Sequence, residues 1–183
     1  MLFRSSLKEL TWEKHQNAER TKFSQKMISG KITNHEYSLY LLQMSRIYFI
    51  LEKIAKDLGI TKNLKGIERT VFINQDLIEL VGEDHGLEYL PSTNAYEKYL
   101  ENIKSDPNVK KKILAHMYVR HMGDLYGGQI ISKRTPGSGR FYHFENKDDL
   151  ILGIRSLLSD DLSEEANIAF DYNISILEEL NNV

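Results

Sequence analysis

Two short stretches carry residue types that do chemistry beyond ordinary packing. The first is Trp12-Glu13-Lys14-His15-Gln16-Asn17-Ala18-Glu19. Residues four apart share one face of a helix, so Glu19 can accept a hydrogen bond from one ring nitrogen of His15. That bond fixes the tautomer and leaves the other nitrogen for a metal. The same spacing equally describes a surface histidine beside an acid. The second stretch is Gly123-Asp124-Leu125-Tyr126-Gly127-Gly128. Three glycines inside a helical pattern weaken it by about 2–3 kcal/mol relative to alanine. Bare backbone admits close approach of a flat ligand and permits a kink. It also suits a tight helix crossing or a simple break between helices. A phosphate loop is excluded, because no strand precedes the glycines and no Lys-Ser/Thr follows them.

The other histidines form no metal motif. His35 falls in a first helical turn, His85 and His143 fall in loops, and His116 and His121 are five apart on one helix. There is no His-Glu-x-x-His and no pair of Glu-x-x-His motifs. One histidine facing open space suits haem better than zinc. The chain has no cysteine, which removes disulfides, thiolate ligands and a cysteine nucleophile.

The elements that must position these residues are helices. The first is expected from Ser6 to Ser29, opened by a Ser6/Glu9 capping box and closed by Gly30. The second opens with Thr33/Glu36 and runs to about Leu58, its apolar residues recurring every three to four positions. A third spans about Ile67 to Val81 and a fourth follows Pro91. A fifth starts at Asp106-Pro107, with Asp as cap and Pro in the first position, and runs to about Lys133 through the glycines. A sixth begins near Asn146 and a seventh near Ser163. Phe141 to Phe144 reads as a short strand without a partner. The expected fold class is all-α, in a single domain over residues 1–183.

The 183 residues fit one domain. A net charge of -2 argues against a polyanion-binding surface, so no nucleic-acid partner is expected. No apolar run approaches the length of a transmembrane helix, and Met1 to Lys8 do not read as a secretory leader. The expectation is a soluble, cytoplasmic-type protein with no membrane partner, a plastid or an infected host cell being other places for it.

The run Ala115-His116-Met117-Tyr118-Val119-Arg120-His121-Met122-Gly123-Asp124-Leu125-Tyr126-Gly127-Gly128-Gln129 resembles the distal-helix signature of haem oxygenases, Ala-His-x-Tyr-x-Arg-Tyr-x-Gly-Asp-Leu-Ser-Gly-Gly-Gln. Lys8 through Glu19 resembles the proximal helix of that family. Weaker likeness continues through Asn74-Gln75-Asp76-Leu77 and Glu165 to Phe170. The resemblance implies a helical bundle with haem between a proximal and a kinked distal helix. It implies His15 as proximal ligand of the haem iron and Glu19 as its hydrogen-bond partner. Gly123 and Gly127 would lie over the haem, with Gly128 closing the kink. Asp124 would hold a water network that supplies protons on the distal side, with Arg120 joining it. Lys8, Tyr118, Arg120 and Arg155 would lie near the propionates or the meso edge, and Phe170 would pack on the macrocycle. The implied catalytic residues are Asp124, Arg120 and Gly123.

The implied reaction opens haem, at once substrate and cofactor, to biliverdin, iron and carbon monoxide. Dioxygen is consumed and an external donor supplies electrons, ferredoxin or a flavoprotein reductase in soluble members. Lys14, Lys22, Lys26, Lys111, Lys112, Lys133 and Arg134 are candidates for docking an acidic donor, or simply a solvated charged face. Three positions depart from the family pattern: Tyr126 stands in place of Ser, His121 in place of Tyr, and Ile151 where many members place a second propionate-contacting Lys. These departures keep a second reading open, a haem carrier of the same fold without turnover. A hydrolase with a cysteine nucleophile and a di-iron oxidase lack their required residues.

Overall fold

Side chains that can cap a helix decide where this chain turns. The computed structural model describes residues 6–183. Ser6 and Glu9 form the expected capping box at the head of α1 (Leu7–Leu10). The helix expected to run on to Ser29 is instead three pieces, with α2 (Trp12–Glu19) and α3 (Lys22–Ser29) following α1. The breaks have local causes. Thr11 turns its hydroxyl onto the Leu7 carbonyl at 2.9 Å, competing with the backbone ladder. Thr21 restarts the helix by accepting from the Ser24 N–H. Gly30 ends α3 with φ +73°, a left-handed conformation that glycine adopts without a Cβ clash.

The Thr33/Glu36 capping box opens α4 (Asn34–Asp57) as expected. At about 36 Å this is the axis of the molecule. Tyr37, Leu41, Met44, Ile47, Tyr48, Leu51 and Ala55 are buried along it, and α5 (Thr70–Val81), α6 (Pro91–Asn102) and α7 (Val109–Met117) pack around it. The Glu52 carboxylate on α4 receives the Arg69 and Thr70 N–H groups, satisfying donors that the start of α5 leaves open. The segment expected to start at Asp106-Pro107 begins two residues later. Asp106 accepts from the Asn108 N–H at 2.7 Å in a local turn, and the helix proper starts at Val109.

That fifth segment is not one helix. After α7 comes a π-helical turn, Tyr118–Met122, then α8 (Gly123–Tyr126) and α9 (Gly128–Ile131). Phe141 is not in a strand: Arg140–Tyr142 form a 3-10 turn whose Arg140 and Phe141 N–H groups are held by Asp76 at 3.0 and 2.8 Å. No strand occurs among the described residues. The chain ends with α10 (Lys147–Leu157) and α11 (Ser163–Leu180).

α11 is the second axis. It packs on α2, α7 and α6 and touches the π turn. A small cluster of Ala18, Ala115, Val119, Ala166, Ala169 and Phe170 fills these contacts. The alanines let α2 and α7 approach α11 closely, so one helix holds both the His15 helix and the approach to the glycines.

Candidate functional site

His15 projects from α2 half-exposed. Its Nε2 lies 2.9 Å from Glu19 Oε1, and Nδ1 makes no hydrogen bond among the described residues. The ring is clamped by neighbours: Trp12 stacks on it at 5.3 Å between centroids, and Phe170 of α11 meets it edge-on at 5.9 Å. One nitrogen on a carboxylate and one unengaged is the arrangement an iron-ligating imidazole requires.

The glycine segment divides by face. A Cβ at Gly123 would meet nothing within 4 Å, and one at Gly127 would meet only the Gly123 carbonyl at 3.4 Å. Both glycines are exposed, as is Ile130 on the same side. Gly128 faces the opposite way, where a Cβ would stand 2.4 Å from the Tyr142 ring. The segment therefore divides as the resemblance implied, with Gly123 and Gly127 on one face and Gly128 at the break. Gly123 and Gly127 offer bare backbone to open space, and Gly128 lets Tyr142 pack at the break.

Asp124 points inward from α8 and is buried. The Tyr48 hydroxyl of α4 donates to its Oδ2 at 2.6 Å. Burial pushes the Asp124 carboxyl up to about 6, although His121, Tyr48, Arg120 and Arg69 oppose the shift. The same burial, with the Asp124 charge beside it, holds Tyr48 well above its ordinary value, so it remains a donor. Gln129 donates to the Asp124 carbonyl and to the Tyr142 carbonyl at 3.3 and 2.8 Å. Arg120, in the π turn, donates to Asn173 Oδ1 of α11 at 2.8 Å and lies over the Tyr96 ring at 5.4 Å. Its Nε and second terminal nitrogen are buried without a partner. Unmade donors of a buried guanidinium are costly and mark a place for a polar ligand or a water.

Behind this layer lies a cluster that sequence spacing does not reveal. His116 is fully buried, with Nδ1 2.6 Å from the Tyr96 hydroxyl and Nε2 2.9 Å from Glu165 Oε1. Tyr99 donates to the same Glu165 oxygen at 2.6 Å. Burial lowers the His116 pKa, opposed by Glu165. As the neutral ring it accepts from Tyr96 and donates to Glu165, tying α7 to α6 and α11. Tyr48 and Asn173 are likewise absent from the sequence-derived set. Tyr48 reads there only as one more apolar-stripe residue, and nothing in the spacing marks its hydroxyl.

The remaining expected residues are dispersed. Lys8 is exposed on α1, its Nζ 5.8 Å from the Trp12 ring. Tyr118 is half-buried where the two cores meet. Arg155 on α10 donates to the Tyr126 hydroxyl at 2.5 Å, whereas Ile151, one turn earlier on α10, is buried in the core. Of the expected basic patch, Lys14, Lys26, Lys111 and Lys112 each pair with a carboxylate of this chain, at 2.5, 2.5, 2.6 and 2.8 Å. No group of three or more His, Cys, Asp or Glu able to hold a bare metal ion occurs among the described residues. No helix among them is long and apolar enough to cross a membrane.

The residues present fit a flat iron-bearing macrocycle. They supply one constrained imidazole, a helix face stripped of side chains, a buried carboxyl and unpartnered buried donors. Comparison with known proteins agrees. The family model described as Heme oxygenase matches residues 1–150. Heme oxygenase 2 of Oryctolagus cuniculus is 29% identical over 95% of this chain. This chain spans 64% of the length of that relative. Heme oxygenase of the alga Pyropia yezoensis is 27% identical over 97% of this chain and 85% of its own. Among solved structures, heme oxygenase-1 of Synechocystis in complex with heme superposes with a TM-score of 0.83 at 23% identity, covering 96% of this chain and 90% of that one. Heme oxygenase of Leptospira interrogans gives 0.80 at 25% identity, covering 94% and 97%.

Proposed function

Because this chain belongs to the haem oxygenase family, we propose that it binds haem and opens it oxidatively to biliverdin, releasing iron and carbon monoxide. The observations that carry the reading are the constrained His15 on α2, which packs on α11, and the bare Gly123–Gly127 face that follows the π turn touched by the same helix. Haem, as substrate and cofactor together, supplies the dioxygen-binding iron and the carbon that is oxidised.

The protein's own residues do the rest. His15 would hold the iron through one nitrogen while Glu19 holds the other, which fixes the ring plane. Trp12 and Phe170 prevent that ring from rotating. Gly123 and Gly127 would admit the macrocycle against bare backbone. Burial brings the Asp124 carboxyl up to about 6, close enough to neutrality to take up and release a proton, and Tyr48 fixes its orientation. Arg120 keeps two buried donors unpaired, suited to ordering a water that serves the proton path of Asp124. Lys8, Tyr118 and Arg155 are the groups available to the propionates, with Arg155 already oriented by Tyr126. Electrons come from an external donor, with ferredoxin or a flavoprotein reductase as the candidate classes. The internally paired lysines lower the charge available to steer such a donor.

A haem carrier without turnover is the weaker reading, because carriage gives no task to the buried Asp124–Tyr48 pair. The test is to supply the purified protein with haem, ferredoxin, its reductase and air. Decay of the haem absorption into a bilin spectrum is expected. A haem spectrum that persists under reduction would leave carriage as the function.

A further inference from the structure

His121 is the buried titratable group that this scheme does not use. It stands on the π turn where the resembling family has tyrosine. It is completely buried, and neither ring nitrogen has a hydrogen-bond partner. Leaving both nitrogens of a buried imidazole unpaired is costly, so packing alone does not explain a histidine there. Its surroundings are charged. Nε2 lies 3.7 Å from Glu52 Oε1, beyond direct bonding but well inside strong electrostatic reach. Its ring lies 5.3 Å from that of Tyr48, whose hydroxyl is bonded to Asp124. Asp124 itself follows three residues later on the same helical face.

We infer that His121 is a positioning residue for the distal carboxyl, an imidazole held between Glu52 and the Tyr48–Asp124 pair that couples the protonation of the two carboxyls. This rests on the reading of Asp124 as the proton-supplying group of the haem site. Glu52 is fit to anchor the imidazole. Burial pushes its carboxyl up, but His121, Thr70 and the Arg69 N–H outweigh burial and hold it below the ordinary range. Glu52 therefore stays charged and faces the imidazole across 3.7 Å. Once charged, the imidazole favours the carboxylate form of Asp124. The other groups around this locus are Tyr48 on α4, Arg69 before α5, and Arg120 on the π turn itself. α11 contributes the uncharged Asn173 to Arg120, and α10 contributes the buried aliphatic side chains of Ile151 and Ile154.

The test uses the haem-free protein, labelled with ¹³C-carboxyl aspartate and ¹⁵N-histidine and followed by NMR from pH 4 to 8. In the wild type the Asp124 carboxyl should titrate in two linked steps, the signature of a group coupled to a neighbour. In His121→Phe the Asp124 midpoint should rise by roughly half a pH unit or more, because a favourable positive charge is gone. His121→Tyr, which restores the aromatic of the resembling family, should show the same rise if His121→Phe does not fold. A single-step Asp124 titration in the wild type, or an Asp124 midpoint unchanged in a folded His121 variant, would overturn the inference. A separate haem titration keeps the two readings apart: failure to bind haem sinks the proposed function and leaves the NMR result standing.

Discussion

At the scale of residues, the site depends on a few groups whose protonation is set by burial. The Asp124 carboxyl, with its pKa raised to about 6 from 3.8, binds its proton more tightly in the folded chain than in the unfolded one. The sign follows from linkage: this group favours folding below pH 3.8, and that contribution is lost as pH rises through about 6. Asp124→Asn removes the penalty while leaving a carbonyl to accept from Tyr48. Urea unfolding at pH 8 should therefore find the variant more stable by about 1–3 kcal/mol, with the gain vanishing near pH 4. The same variant should bind haem normally and yield little biliverdin; an unchanged yield would remove Asp124 from the proton path. His15→Ala should lose the imidazole-ligated haem spectrum, and added imidazole should restore it. Both residues stand out in the sequence through their types and neighbours. Tyr48 does not, because a tyrosine within an apolar stripe looks the same whether or not its hydroxyl meets a carboxylate 76 positions away.

At the scale of elements, the distal segment combines a kink with an open face. The π turn Tyr118–Met122 widens the helix just before Gly123, and π bulges commonly lie at functional sites. The glycines predict a bend here, but no residue pattern predicts the π turn. The two faces of the segment give opposite expectations for one substitution. Gly123→Ala adds a Cβ into open space, so the fold should hold or gain up to about 1 kcal/mol from helix propensity. Its haem affinity should nevertheless fall by roughly tenfold or more, each decade being about 1.4 kcal/mol. Gly128→Ala drives a Cβ into the Tyr142 ring and should cost about 1–3 kcal/mol of stability. Thermal unfolding and haem titration of the pair measure both. Equal behaviour of the two variants would mean that the faces are not distinct. The first expected helix illustrates the complementary limit. Its capping box and terminal glycine are legible in the sequence, but the breaks at Thr11 and Thr21 depend on which competing hydrogen bond each hydroxyl makes.

At the scale of the whole molecule, α4 and α11 are the two axes, and the His116–Glu165 contact helps bind the second to the rest. His116 is held below its ordinary value of 6.5 by burial, and Glu165 below 4.5 because His116, Tyr99 and Lys112 outweigh burial. Both folded values are depressed, so both contributions are complete above pH 6.5 and are lost as pH falls, first through the histidine and then through the carboxyl. Urea midpoints should drop between pH 7 and pH 5. His116→Phe should be less stable at pH 7 by about 2–3 kcal/mol, since Tyr96 and Glu165 lose their partner, but it should show a shallower fall with acid. A slope as steep as that of the wild type would place the acid sensitivity elsewhere. The sequence by itself determined the helical class, most helix starts, and the pairing of His15 with Glu19, because caps, periodicity and a four-residue spacing act over one or two turns. Only the tertiary structure decided which glycines face outward, that Tyr48 meets Asp124, and that His121 lies beside Glu52. Those relations join residues far apart in the chain, and packing around α4 and α11 rather than any local rule brings them within bonding distance.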